Sequence, residues 1–182
     1  MKTIQPRIIT GKYKGFRLSV PNNARPITDR VKTILFDTIG ELIEGSTVLD
    51  LFAGSGNLGI EALSRGAETV IFVDDNFEAI EAIKSNLKRL DIPKNSHKVL
   101  NLDYISFAKK FKGGFDLIFV DPPFNIQSRV RLDTISSLIN KEGVIVYKIE
   151  EKQKNKIKIS ENLIVVLEKR IGINTLFFLK SK

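Results

Sequence analysis

The chain has 182 residues, 42% hydrophobic and 27% charged, which suits one compact, ordered domain burying about 70% of its unfolded surface. With no cysteine, one histidine (His97), no apolar run of the ~18 residues a membrane span needs and no signal-peptide stretch in residues 1–10, the sequence excludes disulfides, Cys-ligated zinc and iron–sulfur clusters, argues against a His-based metal site, and reads as a soluble cytoplasmic protein. The net charge is +8, of which residues 1–32 carry +7 and the other 150 carry +1, so a basic arm on a nearly neutral body points to a polyanion partner.

Residues 7–10 and 16–20 are short apolar or β-branched runs around Gly11-Lys12-Tyr13-Lys14-Gly15, a pattern for a small basic hairpin or extended arm. Residues 21–26 read as a linker. Thr28 or Asp29 then starts a helix with an apolar face of Val31, Ile34, Leu35, Ile39, Leu42 and Ile43. From residue 46 strands and helices alternate: strand 48–51, helix 57–65 closed by Gly66, strand 69–73, and a helix marked by Phe77, Ile80, Ile83, Leu87 and Leu90 that ends before Pro93. A weak strand 97–100, a short helix 104–111, an apolar strand 115–120, a helix marked by Ile135, Leu138 and Ile139, and a strand 144–149 follow. The mixed-charge run 148–158 reads as a solvated connection. Residues 163–167 and 174–179 are strands separated only by a turn near Gly172, so they must pair antiparallel.

Alternation implies right-handed βαβ units and a parallel sheet covered on both faces. The expected fold is a doubly wound α/β sheet of seven strands, mostly parallel, closed by an antiparallel edge. Residues 1–26 form the basic arm or hairpin packed on a single body, residues 27–182.

Chemistry concentrates at the carboxyl ends of the strands. Gly54, Gly56 and Gly59 form G-x-G-x-x-G between a strand and a helix, a loop whose glycines let backbone approach a ligand. Asp74, twenty residues after Gly54, suits two ribose hydroxyls, of NAD or of S-adenosylmethionine; Asp74 or Asp75 could instead cap the next helix. Asp50 favours the methionine derivative, because a carboxylate there repels a pyrophosphate and attracts an ammonium; the plainer alternative is a loop-capping role. Asp103 suits an adenine amino group, a helix cap, or both.

Asp121-Pro122-Pro123-Phe124 is the most specific feature. Two prolines stiffen the loop and remove donors, leaving acceptors that suit an exocyclic amino group, while Phe124 offers a face to an extruded base. The plainer alternative is a rigid turn with Phe124 in the core. His97 carries no signal for a ligand role.

These residues resemble the class I S-adenosylmethionine-dependent methyltransferases, in the loop Asp50-Leu-Phe-Ala-Gly-Ser-Gly and in Asp121-Pro-Pro-Phe. More narrowly the whole chain resembles the RsmD family, which methylates N2 of one guanine in bacterial 16S ribosomal RNA. That resemblance rests on Arg7-Ile-Ile-Thr-Gly-Lys-Tyr-Lys-Gly, Arg25-Pro-Ile-Thr-Asp-Arg-Val-Lys and Gly59-Ile-Glu-Ala-Leu-Ser-Arg-Gly-Ala.

The resemblance implies a Rossmann-like methyltransferase fold. It implies S-adenosyl-L-methionine contacts at Asp50, Phe52, Ala53, Gly54, Ser55, Gly56, Asp74 and Asp103, with no metal. Target contacts are implied at Asp121, Pro122, Pro123 and Phe124, with residues 25–30 over the active site. The cations Arg7, Lys12, Lys14, Arg17, Arg25 and Arg30 are then expected to grip 16S rRNA, in an assembled or assembling small ribosomal subunit, from a monomer. Three positions depart from the family pattern: Ile27 for threonine, Asp74 for glutamate, and Lys148 for a small apolar residue. Competing readings are a DNA adenine-N6 methyltransferase, a nonenzymatic RNA-binding assembly factor with a retained pocket, and an NAD-dependent oxidoreductase.

Overall fold

The structure, a computed structural model, describes residues 5–21 and 26–182, so Arg25 and most of the expected linker lie outside the described residues. Thr28 ends an extended segment, and its Oγ1 accepts from Val31 N to start α1 (Asp29–Ile39), which buries Val31, Leu35 and Phe36. Then follow β1 (Thr47–Leu51), α2 (Asn57–Ser64), β2 (Thr69–Asp74) and α3 (Phe77–Arg89). Asn76, rather than Asp74 or Asp75, caps α3 by accepting from Glu78 N. Next are β3 (His97–Asn101), α4 (Tyr104–Lys110), β4 (Phe115–Val120), α5 (Leu132–Ser136), β5 (Ile139–Glu150), β6 (Leu163–Ile171) and β7 (Asn174–Ser181).

The seven strands form one sheet in the order β3-β2-β1-β4-β5-β7-β6. The first five run parallel, and the antiparallel end is a hairpin whose β7 hydrogen-bonds to both β5 and the outermost β6. Strand alternation sends Leu117 and Phe119 into one core with α1, α2 and α3, and Ile118 and Val120 into a second core with α4 and α5. On β6, Ile164, Val165, Val166 and Leu167 stay exposed, and the pairing with β7 shifts register between Val165 and Leu167.

Two expectations change. Ile139 is not helical: α5 stops at Ser136, and Ile139 begins β5 opposite Phe115, with a register shift before Leu117 meets Val144. Pairing with β4 outcompetes the short helical signal. The run 148–158 is also not simply solvated: Lys148 and Glu150 belong to β5, residues 151–156 form a 3₁₀ turn, and Gln153 is buried.

The N-terminal hairpin closes through the Arg7–Arg17 bridge and buries Ile8 and Leu18 completely. Lys12 N donates to Ser64 O at 2.8 Å and Tyr13 N to Ser64 Oγ at 2.9 Å, fixing it to α2. A Cβ on Gly11 would lie 1.7 Å from Ser64 O, so only glycine permits that approach. Asn86 fixes the second limb to α3, accepting from Ser19 N at 2.8 Å and donating to Ser19 O at 2.9 Å.

Candidate active site

Between β1 and β4 the strand order reverses, and open parallel sheets bind ligands beside such a point. A cavity of about 480 Å³ lies there, lined by the carboxyl ends of β1, β2, β4 and β5 and the loops that follow.

The loop after β1 turns sharply because Phe52 (φ 62°), Gly54 (φ 56°) and Gly56 (φ 75°) are all left-handed. Gly54 N donates to Asp74 Oδ2 at 2.8 Å and Ala53 N to Val73 O at 3.1 Å, tying the loop to the end of β2. Asp50, Phe52, Ala53, Gly54, Ser55 and Asp74 line the cavity. Gly56 does not; it is the N-cap residue before α2. A Cβ on Gly59 would stand 2.3 Å from the Phe72 ring, so this glycine sets how closely α2 approaches β2.

Asp50 is buried, and its Oδ2 accepts from Gly59 N at 2.9 Å. Burial above all, with the charges of Asp121 and Asp74, pushes its carboxyl well above the usual range despite that bond. Burial likewise raises Asp74, whose two oxygens accept from Gly54 N and Asn76 N. Carboxylates held this way favour a cationic or hydroxyl-bearing ligand. Asp103 stands apart: its Oδ1 accepts from Ile105 N and Ser106 N, capping α4, and it does not line the cavity. Its Oδ1 serves the helix.

Asp121, Pro122, Pro123 and Phe124 all line the cavity. Lys148 Nζ lies 2.7 Å from Asp121 Oδ1. Gln127, buried below the loop, donates from Nε2 to Pro122 O at 3.3 Å and accepts at Oε1 from Glu150 N at 2.9 Å. The Tyr147 hydroxyl donates to Gln127 O, and burial raises that hydroxyl. The loop is thus clamped to β5. Phe124 is not in the core: it is 42% exposed, and Lys152 Nζ lies 4.1 Å from its ring centroid.

Lys148, Gln127, Asn57, Lys32 and Glu61 were not among the site residues expected from the sequence. Strand alternation was a usable signal for Lys148, which falls on the face of Val144 and Val146, one step past the core. Lys32 and Glu61, both fully buried, pair at 2.9 Å, and Arg65 Nε lies 2.9 Å from Glu61 Oε1. Glu61 also accepts from Ile9 N and Thr10 N of the hairpin. Burial lowers the Lys32 ammonium, and Glu61 opposes that shift.

Of the basic residues, Arg7 lies 2.7 Å from Asp29, and Lys12, Lys14, Arg17 and Arg30 are exposed on the hairpin and the first turn of α1. None lines the cavity. Among the described residues no helix is long and apolar enough to cross a membrane.

Comparison with known proteins agrees with this geometry. The family model described as conserved hypothetical protein 95 matches residues 6–180. Bacillus subtilis YlbH is 44% identical over 147 residues, 77% of this chain and 80% of that protein. The ribosomal RNA small subunit methyltransferase D of Haemophilus influenzae is 36% identical over 173 residues, 92% of this chain and 89% of that protein. The solved structure of yhhF from Escherichia coli superposes with a TM-score of 0.82 at 30% identity, covering 98% of each chain. A seven-stranded methyltransferase sheet, a glycine loop and an Asp-Pro-Pro-Phe turn on one cavity, and these relatives across nearly the whole chain, lead to one assignment: the chain belongs to the RsmD family of methyltransferases.

Proposed function

We propose that the protein transfers the methyl group of S-adenosyl-L-methionine to the exocyclic N2 of one guanine in 16S rRNA. The observation that carries this reading is that Asp50, Asp74 and the Asp121–Phe124 turn meet on one cavity. The donor set fits the cofactor: five carboxylates (Asp50, Asp74, Asp75, Asp121 and Glu150) and one ammonium (Lys148) line the wall, which favours a cationic ligand and disfavours a pyrophosphate.

When bound, S-adenosyl-L-methionine supplies an electrophilic methyl group on a sulfonium. Asp50 holds the ammonium of the amino-acid end, and Asp74 accepts from the ribose hydroxyls. Lys148 occupies Asp121 Oδ1, which leaves Oδ2 to accept an N–H of the target amine. The Pro122 carbonyl, with one lone pair on Gln127, accepts the second N–H. Two such acceptors hold the nitrogen with its lone pair directed at the methyl group, and Phe124 stacks on the base. Positioning of this kind supplies roughly 7–11 kcal/mol.

The exposed cations of the hairpin and Arg30, with Arg25 beside them in sequence, grip phosphates of the small ribosomal subunit in the cytoplasm, and one copy of the chain suffices. The test is to incubate the protein with labelled cofactor and undermethylated small subunits, digest the RNA and identify the labelled nucleoside by mass spectrometry. N2-methylguanosine is the expected product. Label in another nucleoside, or a bound cofactor with no label in RNA, overturns the reading.

A further inference from the structure

We infer that the Asn57 side-chain amide, held by Lys32, is the subsite for the carboxylate at the amino-acid end of the ligand. This rests on the cofactor reading above. Lys32 Nζ, fully buried, directs its three donors at Glu61 Oε2 (2.9 Å), Asn57 Oδ1 (2.7 Å) and the Arg7 carbonyl (2.6 Å). An ammonium only donates, so the atom of Asn57 facing it must be the oxygen. The orientation of the amide is therefore fixed, and its NH₂ faces away from Lys32.

That NH₂ is buried and has no hydrogen-bond partner among the described residues. Asn57 is 5% exposed and lines the cavity. A buried amide donor left unpaired costs free energy, which an acceptor on a ligand would recover. Charge points to the same chemistry. Lys32 and Arg65 share the single carboxylate of Glu61, leaving a net positive cluster behind Asn57. Asn57 is also the first residue of α2, whose free N–H groups add positive potential.

Elsewhere the wall carries five carboxylates, and its one ammonium among the described residues, Lys148, is already paired with Asp121, so this corner is where a ligand carboxylate is welcome. Asp50 reaches the same helix, since its Oδ2 accepts from Gly59 N. A zwitterionic amino-acid group, with ammonium and carboxylate on one carbon, then docks in one direction: ammonium to Asp50, carboxylate to Asn57.

The experiment is calorimetry with two probes, S-adenosylhomocysteine and 5′-methylthioadenosine, which keeps the adenosine and thioether but lacks the amino-acid group. Asn57→Asp keeps an acceptor for Lys32 and replaces the donor with a charge that repels a carboxylate; Asn57→Ala is the second variant, and thermal melting confirms that both fold. Both variants should bind S-adenosylhomocysteine about 10- to 100-fold more weakly, the effect of losing a hydrogen bond to a charged group. Both should bind 5′-methylthioadenosine within about twofold of the parent protein. Equal losses for the two probes, or no loss for either, overturn the subsite while leaving the cofactor reading intact. Parent protein that binds neither probe overturns the cofactor reading, and the subsite with it.

Discussion

Lys148 Nζ and Asp121 Oδ1, 2.7 Å apart on neighbouring strand ends, form an ion pair in the cavity wall with side chains only 15% and 22% exposed. Lys148 is the only cation among the described residues of that wall. By holding one carboxylate oxygen it fixes where the other points. Lys148→Met should lower kcat by roughly 10²-fold, the scale of a 1 Å misplacement, with the dissociation constant of S-adenosylhomocysteine nearly unchanged. Lys148→Arg should recover part of the loss. A parallel fall in kcat and cofactor affinity would assign the pair to pocket stability instead.

Asp121→Ala removes the carboxylate proposed to accept from the target amine. Methyl transfer to RNA should fall below detection while calorimetry with S-adenosylhomocysteine stays close to the parent. If binding is lost to the same degree, Asp121 supports the fold rather than the amine.

Burial places the Asp50 carboxyl well above the ordinary aspartate range, so its charge is lost at a higher pH than for an exposed aspartate. Affinity for a cationic ligand should be full above that raised value and decline as pH falls through it. The stability of the free protein has the opposite sign. A carboxyl whose folded pKa exceeds its unfolded value destabilises the fold once ionised, and its contribution improves as pH falls through the folded value toward the unfolded one. Asp50→Asn should therefore stabilise the free protein at neutral pH and remove this component from denaturation curves recorded against pH. An unchanged pH profile would show that Asp50 does not carry it.

Within the buried cluster the two partners of the ion pair are not equivalent. Removing Glu61 leaves Lys32 and Arg65 without a carboxylate and releases Ile9 N and Thr10 N, whereas removing Lys32 leaves Glu61 still paired with Arg65. Glu61→Ala should cost about 3–5 kcal/mol, and Lys32→Met distinctly less. Urea titration of both variants checks the order.

Gly59→Ala places a methyl group 2.3 Å from the Phe72 ring, and the sheet leaves that ring little room to move. The expected cost is about 1–3 kcal/mol in urea unfolding, from overpacking between α2 and β2. A stability equal to the parent would mean that α2 shifts freely on the sheet.

The parts of the site that were legible in the sequence carry local signals. The glycine loop after β1 is legible because left-handed turns need particular residues, and Asp121-Pro122-Pro123-Phe124 because two prolines at a strand end admit few conformations. Most elements followed from apolar spacing for the same reason. Partnerships across distance were not legible. Lys148 meets Asp121 across 27 residues, and Asn57 meets Lys32 across 25, each through a pairing that only the assembled sheet and helices create. Asp103 shows the converse: a carboxylate after a parallel strand suits both ligand and helix, and spacing alone does not choose. Ile139 extended the helical period of Ile135 and Leu138, yet pairing with Phe115 took it into β5.

The outermost strand has a consequence for solubility. Ile164 to Leu167 present four consecutive exposed apolar residues beside an open row of backbone donors and acceptors, a surface that invites a second sheet to add on and aggregate. The irregularity between Val165 and Leu167 breaks the even spacing of that row, and Glu168, Lys169 and Arg170 follow at once with charge. The regular apolar edge open to such pairing is thereby cut to two residues, Ile164 and Val165, before the shift, too short a row for a second sheet to extend.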